Sequence, residues 1–289
     1  MSYRHLDVAT APMGGVAANP GARQQVLWRE ERSGASVAIN YSPAGFTAQH
    51  AKMLDEEGAH CHYHATVNER HYMLAGDYPI WHWATPTAEP TLTVLRRHTY
   101  LENPPRTLHG SRPDLRPQVG TQLLVWNTKG GTSIFAEDGR HETFRLQPGE
   151  QAPRDGWARP TIHTVDTMEW QAHPTMRGWK VKHLAPAIPD SPAVFVVNVP
   201  PDTRAPMAGT FGAERRWLFV LSGDLAVTMN GDALMLREGH FVQWDAVSRL
   251  AFASGTISNG GATVLCIGHD LATERLMTPP PARGRTKVG

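Results

Sequence analysis

Two imidazoles on alternate residues, followed after a short gap by a carboxylate, constrain this chain more than any other feature. The stretch is His62-Tyr-His-Ala-Thr-Val-Asn-Glu69-Arg-His-Tyr-Met-Leu-Ala-Gly76. On an extended strand alternate side chains share a face, so His62 and His64 point the same way. Thr66-Val-Asn68 reads as a tight turn, because Asn tolerates the backbone angles that turns require. The chain then resumes as a second strand that returns Glu69 to the imidazoles, and Gly76-Asp77 closes that strand with another turn. Two imidazoles and one carboxylate on one face make a divalent-metal site rather than a packing surface.

A fourth ligand stands downstream. Thr99-Tyr-Leu-Glu-Asn-Pro-Pro-Arg-Thr-Leu-His109-Gly110 is a strand running into a proline-stiffened corner. Proline fixes the backbone and cannot sit in a central strand, so His109 is expected at a strand edge or entry. His-x-His, four residues, Glu, six residues, Gly resembles the first motif of the cupin superfamily without a gap. Pro104-x-Arg106-x-x-His109 is similar to its second motif, Pro-x-Gly-x-x-His, with Arg106 standing where the family usually carries glycine. The residues from Tyr100 to His109 most resemble the ChrR-like branch. The resemblance implies a metal held by His62, His64, Glu69 and His109 inside a small antiparallel barrel.

The rest of the chain bears the same rhythm. Its 289 residues, 40% of them hydrophobic, suffice for two modest cores or one large one. Gly 26 and Pro 23, with short apolar runs between them, favour an all-β protein. Strand candidates include Val26-Leu-Trp28, residues 35–41, Leu92-Thr-Val-Leu95 and Thr121-Gln-Leu-Leu-Val-Trp126. Residues 1–22, rich in Ala, Gly and Pro, read as an arm that packs elsewhere or moves freely. Residues 151–177 read as an irregular linker carrying one strand near Thr161-Ile-His-Thr-Val165.

After this linker the pattern repeats. Glu214-Arg-Arg-Trp-Leu-Phe-Val-Leu-Ser-Gly223-Asp224 echoes Glu69-Arg-His-Tyr-Met-Leu-Ala-Gly76-Asp77. The resemblance thus implies a bicupin: two tandem jelly-roll (double-stranded β-helix) barrels. The metal-binding one is placed at 23–150 and a degenerate one at 178–275, with a flexible tail at 276–289. Aligning Gly76 with Gly223 puts Arg216 opposite Glu69, Phe211 opposite His64 and Gly209 opposite His62. Only His240 remains near the second corner, so the second barrel is expected to be metal-free and structural.

Several further residues are candidates for the site. His71 and Met73 continue the inward parity of Glu69. His71 is therefore an acid/base or ligand-orienting group, or else a core histidine bonded to a carbonyl. Trp81, His82 and Trp83 alternate, so either the tryptophans or the histidine faces inward. His98 and Tyr100 share a face and would bracket the pocket mouth. Arg106 offers a fork for a substrate carboxylate or oxyanion, or a surface ion pair. Cys61 has opposite parity to His62 and should face away from the metal.

A net charge of +1 gives no electrostatic surface for nucleic acid or acidic membranes. The N-terminus has no basic-then-apolar signal, and no run approaches a membrane span. Cys61 and Cys266 form no CxxC pair. A reduced cytoplasmic protein follows, with a homodimer compatible with the tryptophan content. No Gly-rich phosphate loop, GxSxG elbow or cysteine zinc finger appears, so the functional case stands on the metal. Fe(II) is the first choice, with Mn(II), Ni(II), Cu(II) and Zn(II) suited by the same ligands. The resemblance implies a mononuclear dioxygenase that takes dioxygen and a small molecule such as a hydroxyketone or diketone, with carbon–carbon cleavage. The alternatives are a metal-dependent isomerase, lyase or hydrolase, and a non-enzymatic small-molecule sensor. Nothing in residues 1–50 resembles the zinc-binding helical domain of ChrR-like sensors.

Overall fold

The computed structural model describes residues 3–16, 21–46, 61–111, 116–131, 133–135, 156–173, 176–187, 191–204, 210–211, 216–245, 248, 250–252 and 255–268. These are almost entirely antiparallel strands, with one 3-10 turn at Val165–Thr167 among them. No helix among the described residues is long and apolar enough to cross a membrane. The chain divides into two compact units, Ala11–Met168 and Met1–Thr10 with Glu169–Gly289.

The unit Ala11–Met168 contains two sheets among its described residues. The larger runs in the order Thr161–Thr164, Thr99–Asn103, Glu69–Ala75, Thr121–Asn127, Ser36–Ser42, Arg23–Arg29, Gly14–Gly15. The smaller runs Ser133–Phe135, His62–His64, Leu108–Gly110, Asp77–Trp83, Thr91–Arg96. Neighbours in space are seldom neighbours in sequence, because the chain alternates between the sheets as a jelly roll does. It changes sheet at tight corners. Gly76, His98 and Arg106 all have positive φ, at 81°, 60° and 68°. Glycine adopts such angles freely, whereas His98 and Arg106 hold them against the clash of their own Cβ. The Arg106 corner is pinned on both sides: its N–H donates to the His64 carbonyl (2.8 Å) and its carbonyl accepts from Ala158 N (3.2 Å).

The second unit is built around the 14-residue strand Arg216–Met229. It lies between His240–Trp244 and Ala262–Gly268, and Ala193–Val199, Lys180–Ala185 and Gln171–Ala172 follow outward. Phe195, Val197, Leu218, Val220, Trp244 and Val264 belong to a continuous apolar core. That core borders a partly open cavity of about 40 Å³, lined by Trp179, Trp244, Phe252 and Cys266 among others, with His173 as its one imidazole.

Three segments lie near the boundaries read in the sequence. Of the two readings of residues 1–22, the described part packs elsewhere: Tyr3–Asp7 pairs with His240–Trp244 in the second unit. There His5 Nε2 and His240 Nδ1 share a hydrogen bond of 3.1 Å, and Tyr3 donates to Asp232 (3.0 Å). Gly14–Gly15 pairs instead with Arg23–Arg29 of the first unit. Within the stretch 151–177 the expected strand is present as Thr161–Thr164, which forms the edge of the larger sheet against Thr99–Asn103. The second unit takes up the chain again at Glu169, before residue 178, with Gln171–Ala172 as its first strand there. An edge strand needs ladder bonds on one side only, so Pro160 just before it is tolerated and the local text looks irregular. Gly209, the side chains of Phe211 and Arg216, and the tail 276–289 lie outside the described residues.

Candidate metal centre

Strand register assembles the imidazoles. His62–His64 pairs with Leu108–Gly110 so that His109 stands directly opposite His62. One ring nitrogen from each of His62, His64 and His109 lies within 4.8 Å of the others. Nitrogens bound to one ion at about 2.1 Å sit roughly 3–4 Å apart, so the cluster is close to a ligating arrangement. The Glu69 carboxylate completes it. Its Oε2 is 3.2 Å from His109 Nε2 and its Oε1 is 3.8 Å from His64 Nε2.

The tautomer of His109 decides what this cluster is fitted to hold. His109 Nδ1 donates to the Thr107 carbonyl at 2.8 Å, so a neutral ring has its lone pair on Nε2. That nitrogen is buried and makes no hydrogen bond, yet a carboxylate oxygen lies 3.2 Å away. Two acceptors facing each other require positive charge between them. Either a second proton on the His109 ring or a divalent cation supplies it, and the donor set suits a cation.

Burial alone would raise the pKa of Glu69, but His71 and His109, as charged N–H donors, outweigh it and hold the carboxyl well below the usual carboxylate range. Glu69 therefore stays ionised. His71, buried beside it, brings its Nε2 to 3.4 Å from Oε2. The side chain expected as an orienting group thus reaches the Glu69 carboxylate directly.

One residue of the site, Asn103, was not singled out from sequence, and His82 was left with its direction open. Register sets Asn103 opposite Glu69 and His82 opposite His109. Asn103 Nδ2 donates to Glu69 Oε2 at 3.4 Å, and its Oδ1 accepts from His82 Nε2 at 3.2 Å. Burial, helped by the charge of His109, lowers the pKa of His82 to about 4, so its ring is neutral. The open question over Trp81, His82 and Trp83 is thereby answered. His82 faces the cluster, while both tryptophans pack with Cys61, Tyr63 and Leu108 on the other side. Cys61 does face away from the cluster and is fully buried.

His98 and Tyr100 are elsewhere than expected. Tyr100 pairs in register with Tyr72, so both belong to the face opposite Glu69 and Asn103. There its hydroxyl donates to Glu102 Oε2 (3.1 Å), and Glu102 Oε1 accepts from Asn68 (2.6 Å) and from Arg70 Nε and Nη2 (3.2 and 3.0 Å). His98 shares a hydrogen bond of 3.1 Å with the Tyr72 hydroxyl. They do share a face, as their spacing requires, but pairing with Glu69–Ala75 turns that face away from the histidine cluster. Arg106 is partly exposed at its corner, where its described contacts are through the backbone.

No family model matches the sequence. The HisH subunit of imidazole glycerol phosphate synthase from Synechococcus sp. (strain JA-3-3Ab) is 24% identical over 170 residues, 58% of this chain. The chain spans 66% of the length of that protein, and at such identity the match shows no family. Solved structures are more informative about the fold. A protein of Nostoc punctiforme PCC 73102 to which a dioxygenase activity is ascribed superposes with a TM-score of 0.66 at 14% identity, covering 97% of this chain and 87% of that one. A mutant of Bacillus subtilis oxalate decarboxylase gives 0.55 at 13% identity, covering 93% and 78%. A cupin 2 conserved barrel protein of Leptotrichia buccalis gives 0.52 at 10% identity, covering 93% and 97%. The fold is the cupin fold. In this fold the imidazoles come from the smaller sheet and the carboxylate from the larger, which leaves the cluster between inward-facing residues of both.

Proposed function

We propose that this protein is a ChrR-like bicupin whose first barrel is a mononuclear ferrous dioxygenase. Its ligands are His62, His64, Glu69 and His109, and its substrate is a small hydroxyketone or diketone. The observation that carries the reading is the buried Nε2 of His109, stripped of hydrogen bonds and turned toward an ionised carboxylate. An Fe(II) ion bound there supplies a Lewis acid and an electron donor toward dioxygen. The chain's own residues set the conditions. Three neutral imidazoles and one carboxylate leave a divalent ion with residual positive charge, which favours an anionic oxygen ligand such as an enolate. Burial of His71, His82 and His109 keeps bulk water from the cluster and strengthens each electrostatic contact. Thr107 fixes the tautomer of His109, and Asn103 grips the carboxylate. The dioxygenase ascribed to the Nostoc structure supports this reading, and the cytoplasm supplies the reducing setting Fe(II) needs.

The same ligand chemistry accepts Zn(II), Mn(II) or Ni(II) for Lewis-acid isomerase, lyase or hydrolase chemistry. The decarboxylase that shares the fold keeps this second reading in view. Metal analysis of protein purified without oxygen, then oxygen-uptake screening against β-diketones and hydroxyketones, separates the two. Stoichiometric iron with substrate-dependent oxygen consumption supports the dioxygenase; turnover without oxygen consumption replaces it with the second reading.

A further inference from the structure

The contacts around Glu69 extend one layer beyond the ligand set. Asn103 is buried (1% exposed) and is occupied at both ends of its amide. Its NH2 donates to Glu69 Oε2, and its carbonyl oxygen accepts from His82. Each link constrains the next. An amide that donates to a carboxylate must turn its oxygen the other way, and only a donor such as a ring N–H satisfies that oxygen. If the amide flipped, its oxygen would face a carboxylate and its NH2 would face the ring N–H.

We infer that Asn103 is a positioning residue, locked by His82, that fixes the rotation of the Glu69 carboxylate and so sets the affinity and geometry of the metal centre. The inference rests on the ligand assignment proposed above. It goes further by giving roles to two side chains that touch neither the ion nor the substrate. Glu69 Oε2 is also the oxygen nearest His71 and His109, so the amide holds the carboxylate at its most crowded atom. A free carboxylate would rotate and sample other arrangements, and each would weaken the cluster's preorganisation.

A double-mutant cycle on Co(II) binding, read both as affinity and as the visible spectrum of the bound ion, tests this. Asn103→Leu is expected to raise the Co(II) dissociation constant by about 10–100-fold and to shift the spectrum. His82→Phe is expected to cost about 3–10-fold alone and nothing further when Asn103 is already leucine, because it acts only through the amide. Asn103→Ser takes the place of the leucine variant if that protein does not fold. Wild-type affinity and spectrum in the Asn103 variant would overturn the inference, as would an equal His82→Phe cost in both backgrounds. Wild-type protein that takes up no Co(II) would defeat the ligand assignment itself, and this inference with it.

Discussion

Gly76 approaches Gly120 so closely that a Cβ on Gly76 would lie 2.2 Å from the Gly120 carbonyl oxygen. Gly223 meets Gly261 in the same way, at 1.9 Å. The aspartate after each glycine also repeats its role: Asp77 accepts from Val119 N and Asp224 from Asn259 N, both at 3.4 Å. Each glycine has positive φ; Gly76 stands between two strands of different sheets, and Gly223 just after a strand bulge. Two costs therefore meet at each position, the left-handed backbone and the steric clash. Gly76→Ala and Gly223→Ala are expected to destabilise by about 3 kcal/mol or more. Gly45→Ala is the control. Gly45 also has positive φ (74°) but nothing within 4 Å, so about 1 kcal/mol is expected there. Denaturant melts of the three variants check the ranking, and equal losses would refute the role given to the close approach.

Arg106 tests the other way a corner can be made. It holds φ at 68° in a place where glycine would be unstrained. Arg106→Gly is expected to leave stability unchanged or raise it by up to about 1 kcal/mol, the relief of strain being partly offset by a floppier unfolded chain. If its guanidinium also anchors the substrate, the same variant keeps its metal but loses affinity for substrate. Melting temperature and KM on one preparation separate the two contributions.

The residues legible in the sequence were those whose local chemistry admits one reading. Gly76 and Gly223 could be matched because a backbone requirement survives any change of side chain. His62, His64 and Glu69 could be grouped because strand parity and a short turn suffice to bring them together. Asn103 could not be found that way, and parity left open whether His82 or its flanking tryptophans face inward. The roles of Asn103 and His82 follow from which strands pair, and Thr99–Asn103 reaches Glu69 only through a register between segments some thirty residues apart. Tyr100 misled for the same reason. Its spacing from His98 was right, but nothing local says which face the neighbouring strand turns inward.

Arg70 and Glu102 form a buried pair on the side of the sheet away from the metal ligands, and Tyr100 is part of it. Arg70→Met would leave the Glu102 carboxylate buried without its cation, at a cost of about 3–5 kcal/mol. Tyr100→Phe removes one hydrogen bond to a charged acceptor, about 1–3 kcal/mol. Neither should change metal stoichiometry. A Tyr100→Phe protein that melts normally but has lost its metal or its turnover would return the phenol to the active site.

Acid should weaken the second unit before carboxylates begin to titrate. His5 and His173 both have pKa values below the ordinary 6.5, chiefly through burial, aided by His240 and His183 respectively; Asp7 opposes the shift at His5. The unfolded chain thus binds protons just below pH 6.5 that the folded chain resists. Their contribution to stability is complete above that pH and declines as the pH falls through it. Urea melts at pH 7.5 and 5.5 should show the loss, and His173→Phe together with His5→Phe should flatten it. An unchanged slope in the double variant would assign the acid sensitivity to other groups.

Removing the metal offers the most direct measure of the ligand set. A ligand that binds only the folded state at one hundred times its dissociation constant stabilises by about 2.7 kcal/mol. Chelation should therefore lower the melting temperature of the wild-type protein, and re-addition of Fe(II) or Co(II) should restore it. His109→Ala and Glu69→Ala should melt at one temperature with or without metal, since each removes a donor from the cluster. His98→Gln should respond like the wild type, because its ring is engaged with Tyr72 on the opposite face. A His98 variant that lost the metal response while His109→Ala retained it would require the centre to be placed on the other side of the sheet.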